Sequence, residues 1–160
     1  STTDSAEAAA NYEFLARASG GFRFRTNSTQ TTGCNIAAGT GTITCSSSKA
    51  LKENFNPVDA EGILLKIRDV PLNYWSMISD TERARHLGPF SEDFAAAFGL
   101  GTDTKAIGHQ DIDGVNFAGI QALEKRTTEL KEQLRVRDEK IADLESRLRR
   151  LEALLENAKD

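Results

Sequence analysis

The sequence predicts an α+β fold in three parts: a short β-rich N-terminal stalk segment, a small α+β domain and a C-terminal parallel coiled coil. Residues 1–46 are rich in Ser, Thr and Gly, and no charged residue occurs from Thr26 to Ser48. Residues 47–118 mix helical and strand-like stretches, whereas residues 119–160 repeat aliphatic side chains at heptad spacing. These three patterns together predict the fold class.

The composition is that of an ordinary globular chain, with 28% charged and 39% hydrophobic residues. The net charge of −4 argues against a nucleic-acid partner, since no basic surplus is present to neutralise phosphates. No apolar run approaches the roughly 20 residues of a membrane-spanning helix, so no membrane partner is expected. Because the chain begins at Ser1 rather than at methionine, we read it as part of a longer or processed chain.

Two stretches of the N-terminal region, GGFRFRTN and GTGTITC, alternate apolar and polar residues. A period of two predicts short strands separated by glycine turns. So few residues cannot bury much of a core alone, and their low charge leaves the strand edges open. We therefore expect this region to pair with other copies of the chain.

Cys34 and Cys45 are the only cysteines and bracket the stretch CNIAAGTGTITC. A zinc site would lack ligands, because no histidine pair lies nearby. Two interpretations remain open: a disulfide, across a hairpin or between chains, and a pair of free thiols. A disulfide would indicate an oxidising compartment.

The middle region predicts two helices. One, in DAEGILLKIRDV, should begin near Asp59 and stop at Pro71. The other, SEDFAAAF, should be capped by Ser91 and ended by Gly99. Glu92 and Asp93 would then lie in its first turn, where the helix dipole favours acids.

Two strands and a turn complete the middle region. LNYWSMI should be a strand that sends Tyr74 and Trp75 into the core, and RHLGPF a second strand. DIDG resembles the start of a calcium loop but lacks the bidentate glutamate, so we interpret it as a turn before the coiled coil. His86 and His109 have no visible partners and are expected to be structural.

The C-terminal region has the clearest pattern, a heptad seam in which nine of eleven positions are aliphatic. The seam consists of Ile120, Leu123, Thr127, Leu130, Leu134, Arg137, Ile141, Leu144, Leu148, Leu151 and Leu155. Two charged pairs, Lys140 with Glu145 and Arg147 with Glu152, have the g-to-e spacing that pairs opposite charges in parallel strands. A single amphipathic helix packed on its own domain is the alternative, but the narrow seam and densely charged other faces favour the coiled coil.

The stretch CSSSKALKENF, residues 45–55, holds the candidate catalytic residues. A serine is a poor nucleophile unless a base takes its proton, and a lysine can do so if burial lowers its pKa. Ser47 and Lys52 are five positions apart, a spacing that a turn could close. On spacing alone a solvated loop is the simpler explanation, since both residue types are common.

Longer stretches carry a family resemblance. SSKALKENFNPVD, ILLKIRDVPLNYW, RHLGPFSEDF and the terminal helix resemble the C-terminal intramolecular chaperone domain of phage tail spikes, endosialidases and related fibre proteins, the S74 peptidase family. The resemblance covers residues 46 to about 135. Ser47 takes the motif serine, Lys49 its first basic residue, and residues 51–54 its closing Leu-Lys-Glu-Asn. Ser48 stands where the family usually has Asp, and Ala50 where a second basic residue often stands.

The resemblance implies a homotrimer whose chaperone domain, residues 47–118, assists the folding of an upstream β-helical fibre of the same chain. Autoproteolysis then releases the domain. Ser47 would attack the carbonyl of Ser46 and Lys52 would be the general base, a Ser-Lys dyad that cuts the Ser46–Ser47 bond once. The resemblance implies no cofactor or metal, and a location on a virion tail fibre or a bacterial cell surface.

This mechanism needs a neutral amine, whereas a lysine in water has a pKa of about 10.4. We therefore expect trimer assembly to desolvate Lys52, or Lys49 to act as a second cation beside it. One alternative is a trimeric attachment module of a fibre or adhesin, left uncut because Ser48 and Ala50 depart from the motif. Another is a regulator that frees a DNA-binding head, against which the neutral N-terminal region argues.

Overall fold

The structure is a computed structural model that describes residues 13–158. It is a mixed α+β chain with two small antiparallel sheets and a long C-terminal helix, as the sequence predicts. The chain divides into two compact units between Asn56 and Pro57.

The N-terminal unit contains a three-stranded antiparallel sheet in the order β1-β2-β3. Its strands are β1 (Gly21–Arg25), β2 (Gly33–Ala37) and β3 (Ile43–Cys45). The strands predicted from GGFRFRTN and GTGTITC are β1 and β3, and β2 lies between them. A short 3₁₀ turn, Lys49–Leu51, follows β3.

The sheet is held together by its hydrogen bonds and one disulfide. Cys34 and Cys45 face each other across β2 and β3 and are bonded to each other, so of the two interpretations the structure has the hairpin disulfide. None of residues 13–56 is buried, which agrees with the expectation that this region forms little core. The cross-link therefore supplies stability that packing does not.

A glycine opens β2 because no other residue fits there. Gly33 has a φ of +149°, and a Cβ on it would stand only 1.9 Å from the carbonyl oxygen of Phe24. At Gly33 the backbone of β2 therefore lies close to β1. The same residue also forms hydrogen bonds with Ser46, which directly follows β3.

The C-terminal unit alternates helices with a small hairpin. Its elements are α1 (Ala60–Asp69), β4 (Asn73–Trp75), β5 (His86–Gly88), α2 (Ser91–Phe98) and α3 (His109–Asn157), with β4 and β5 antiparallel. As predicted, α1 begins beside Asp59. The structure adds that Asp59 caps the helix, its Oδ1 accepting a hydrogen bond from the Gly62 amide at 3.0 Å.

The strands predicted from LNYWSMI and RHLGPF are confirmed, but the placement of Tyr74 in the core is wrong. Trp75 is half-buried and its ring stacks on His86 with centroids 4.5 Å apart. Tyr74 points to the other face of the strand, as alternation requires, and is 62% exposed. The guanidinium of Arg85 lies over the Tyr74 ring, 3.8 Å from the ring centroid, in a cation–π contact.

The predicted cap of α2 is also wrong. Ser91 is the first helical residue, the capping position belongs to Phe90, and no side chain caps the helix. The Ser91 hydroxyl donates instead to Glu92 Oε2 at 3.1 Å. Glu92 and Asp93 do lie in the first turn, and Gly99 ends the helix with a φ of 65°.

The turn predicted at DIDG does not exist, because Asp111–Gly114 lie inside α3, which begins at His109. Asp111 lies in the first turn of this helix, where the helix dipole favours an acid. Contacts between α1 and α3 dominate this unit. The buried apolar residues of the described chain are Phe94, Val115, Ala118 and Ala122.

Two further contacts join α1 to α3. A Cβ on Gly119 would be 2.7 Å from Ile67 Cδ1, so the glycine lets the two helices approach closely. At the surface, Arg126 donates hydrogen bonds to the carboxylate of Glu61. This hydrogen bond, reinforced by the charge of Arg126, holds the pKa of Glu61 below its usual value.

Candidate active site

The structure brings Ser47 and Lys52 together. The ammonium of Lys52 donates to Ser47 Oγ at 2.7 Å, which is within the reach that proton transfer requires. The intervening 3₁₀ turn makes the contact possible. Ser48 accepts a hydrogen bond from the Ala50 amide at 3.3 Å, and the Lys52 amide donates to the Lys49 carbonyl at 3.2 Å. The turn thus folds the chain back so that Lys52 returns to Ser47.

The residue before the candidate nucleophile is attached to the sheet. The Ser46 amide donates to the Gly33 carbonyl at 2.9 Å, and the Gly33 amide donates to Ser46 Oγ at 3.0 Å. The preceding residue, Cys45, is bonded to Cys34 beside Gly33. The peptide bond between Ser46 and Ser47 therefore lies between an anchored strand and an ordered turn.

The ammonium of Lys49 lies over an aromatic ring. It is 5.6 Å from the centroid of the Phe55 ring, a cation–π distance. Asn54 has a left-handed backbone with a φ of 57°, which asparagine tolerates better than most residues, and it redirects the chain just before Phe55. The role of Lys49 as a cation that tunes Lys52 stays a prediction.

Both members of the dyad are exposed to solvent in the single chain. The geometry for proton transfer is present, but water surrounds the amine. The arrangement can therefore deliver a proton acceptor to Ser47 only when something excludes that water, because burial is what favours a neutral amine.

A second surface of interest is the seam of α3. Its nine aliphatic side chains are each between 52% and 65% exposed in the single chain. Residues advance about 100° per position along a helix, so Leu123 and Ile120 lie about 80° and 140° around from Val115, which is buried against the rest of the unit. Packing on α1 therefore leaves the seam uncovered.

The two histidines singled out in the sequence lie in the C-terminal unit. His86 is occupied by its stacking on Trp75, and His109 is the first residue of α3. Within residues 13–158, no three histidine, cysteine or acidic side chains come close enough to hold a metal ion. None of the helices in that range combines the length and apolarity needed to cross a bilayer.

Sequence reasoning missed the two contacts that hold the site, Ser46 with Gly33 and Lys49 with Phe55. The first depends on strand register across 13 residues. A weak signal for it existed, since pairing Cys34 with Cys45 places Gly33 opposite Ser46 in an antiparallel hairpin.

Comparison of the chain with protein-family models, with curated proteins and with solved structures found no match.

Proposed function

We propose that this chain is a self-cleaving intramolecular chaperone. It trimerises through the seam, assists the folding of an upstream β-helical fibre of the same chain, and is released by a single cut between Ser46 and Ser47. The observation that carries the proposal is the 2.7 Å contact between Lys52 Nζ and Ser47 Oγ. The hydroxyl that Lys52 contacts belongs to the residue that directly follows the scissile carbonyl.

The cut proceeds by an acyl shift followed by hydrolysis. Ser47 Oγ attacks the carbonyl carbon of Ser46 while its proton passes to Lys52. The bond from that carbon to the Ser47 nitrogen breaks, and the nitrogen takes the proton from Lys52. The resulting ester between Ser46 and the Ser47 oxygen is hydrolysed by water, which leaves the Ser46 carboxylate and restores the Ser47 hydroxyl.

Assembly of the trimer would remove water from Lys52. In the single chain Lys52 is exposed, and an amine in water is mostly protonated at neutral pH. Coverage of the dyad by neighbouring chains would favour the neutral amine. Cleavage then waits for the trimer, so that the folding aid is not removed before the upstream β-rich strands are aligned. Long-range β pairing is slow and exposes edges, which is why a folding aid is useful.

The test is cleavage of the purified chain, followed by intact mass. The wild-type chain should yield a 46-residue fragment ending at Ser46 and a 114-residue fragment beginning at Ser47. Ser47→Ala and Lys52→Ala should each assemble normally and stay intact. Ser48→Ala removes the neighbouring hydroxyl together with the hydrogen bond that it accepts from the Ala50 amide, so it should cut more slowly but still cut. Processing of Ser47→Ala at the wild-type rate would show that the mechanism is wrong.

A non-cleaving trimeric module of a fibre or adhesin is the second candidate. The observation that favours it is the exposure of both dyad residues, together with the departures from the motif at Ser48 and Ala50. In that case the wild-type chain stays intact on a denaturing gel under all conditions while keeping a trimeric mass in solution.

A further inference from the structure

The scissile bond directly follows β3, a strand that packing does little to stabilise. Strand β3 has only three residues, and all three are exposed. A three-stranded sheet without buried residues is marginal in water. Yet the carbonyl of Ser46, which directly follows β3, must stay within bonding distance of Ser47 Oγ for the acyl shift.

Two contacts hold this end of the strand to β2. One is the disulfide between Cys34 and Cys45. The other is the reciprocal pair of hydrogen bonds between Ser46 and Gly33, at 2.9 and 3.0 Å. Cys45 and Ser46 are consecutive residues, so the two contacts lie next to each other along the strand. Ser46, the second of these residues, carries the scissile carbonyl.

We infer that this disulfide and the Ser46–Gly33 pair form a clamp that positions the scissile carbonyl for attack, so that cleavage depends on the oxidation state of Cys34 and Cys45. The inference rests on the proposed function. Ser46 and the two cysteines are positioning residues, since the carbonyl they hold is backbone and their side chains touch no reacting atom. Reduction releases β3 and leaves the carbonyl to sample many orientations, which lowers the fraction of time in which attack can occur.

The clamp belongs entirely to the upstream product. Cys34, Cys45, Gly33 and Ser46 all precede the cut, so the new carboxyl terminus stays tied to β2 after release. In an oxidised upstream fragment the disulfide would therefore still link β3 to β2. Its intact mass should be lower by two hydrogen atoms than that of the reduced fragment.

The experiment measures the cleavage rate of the full 160-residue chain with the disulfide intact and after reduction with dithiothreitol. Reduction should slow the cut several-fold. The Cys34→Ser/Cys45→Ser double variant should cut at the rate of the reduced wild type and should not respond to dithiothreitol. Assembled mass and circular dichroism, recorded on the same samples, separate slow cleavage from loss of structure.

Ser46 is tested by a pair of substitutions and a control. Ser46→Ala removes the acceptor for the Gly33 amide and should slow the cut about two- to tenfold, the effect of one hydrogen bond. Ser46→Thr keeps a hydroxyl and should restore the rate, which a general structural defect would not allow. Thr44→Ala is the control, because Thr44 also bonds the backbone of β2, at 3.5 Å to the Asn35 carbonyl, but not at the scissile residue.

The outcomes separate the two proposals. If the wild type cuts and reduction changes the rate by less than twofold, the dependence on the disulfide is overturned while the self-cleavage stands. If slowing by Ser46→Ala is not rescued by Ser46→Thr, the hydrogen bond is not the cause and that half of the clamp fails. If the oxidised wild type never cuts, the self-cleavage and the clamp fail together.

Discussion

Replacement of two seam leucines, Leu144 and Leu148, by glutamine should dissociate the proposed trimer. Each side chain is 56% exposed in the single chain. Full burial of a leucine contributes about 1.5–3 kcal/mol, so the exposed part of each would contribute about 0.8–1.7 kcal/mol on assembly. Six such side chains in a trimer amount to about 5–10 kcal/mol, which corresponds to roughly four to seven powers of ten in the association constant.

The assay is sedimentation or light scattering at micromolar concentration. The wild type should have the mass of three chains and the double variant that of one. Glutamine keeps the helix propensity close to that of leucine, so helical content should fall only through loss of assembly. Val136→Gln, a substitution off the seam at a side chain that is 48% exposed, is the control and should stay trimeric. A double variant that keeps the wild-type mass would refute the assignment of the seam as the interface.

Three further substitutions test the packing of α1 on α3. Glu61→Gln should reduce stability at neutral pH, because the hydrogen bond from Arg126 lowers the pKa of Glu61 in the folded chain. A lowered pKa stabilises the fold above the unfolded value of about 4.3, and the gain is lost as the pH falls through the folded value. Urea midpoints of the two proteins should therefore converge in acid, and a constant difference would contradict the assignment. Gly119→Leu should lower the urea midpoint by collision with Ile67. Gly114→Ala, on the same helix with open space around it, should raise stability by about 0.5–1 kcal/mol.

Much of the C-terminal unit could be predicted because its signals are local. The Asp59 cap lies next to the helix it starts, and the αL position after α2 takes the glycine that it favours. The start of α3 could not be predicted in the same way. Asp111, Asp113 and Gly114 have turn-like propensities, but Asp111 lies in the first turn of α3, where the helix dipole favours an acid.

The sequence predicted which two residues form the candidate site, but not the contacts and solvent exposure around them. The motif placed Ser47 and Lys52 in one short turn, where the structure has them in contact. The exposure of both residues and the position of Lys49 over Phe55 depend on tertiary placement. The sequence identified Ser46 only as the residue before the proposed cut, since its hydrogen bonds to Gly33 depend on the register of strands separated by a loop.

The most direct test of assembly-coupled self-cleavage is the cut followed by intact mass in the wild type and in the seam double variant, over a range of protein concentrations. The account predicts that the wild type yields the 46- and 114-residue fragments once the trimer forms. The monomeric Leu144→Gln/Leu148→Gln variant should remain whole, because its Lys52 stays in water. A wild-type chain that never cuts, or a monomeric variant that cuts at the wild-type rate, would contradict the account.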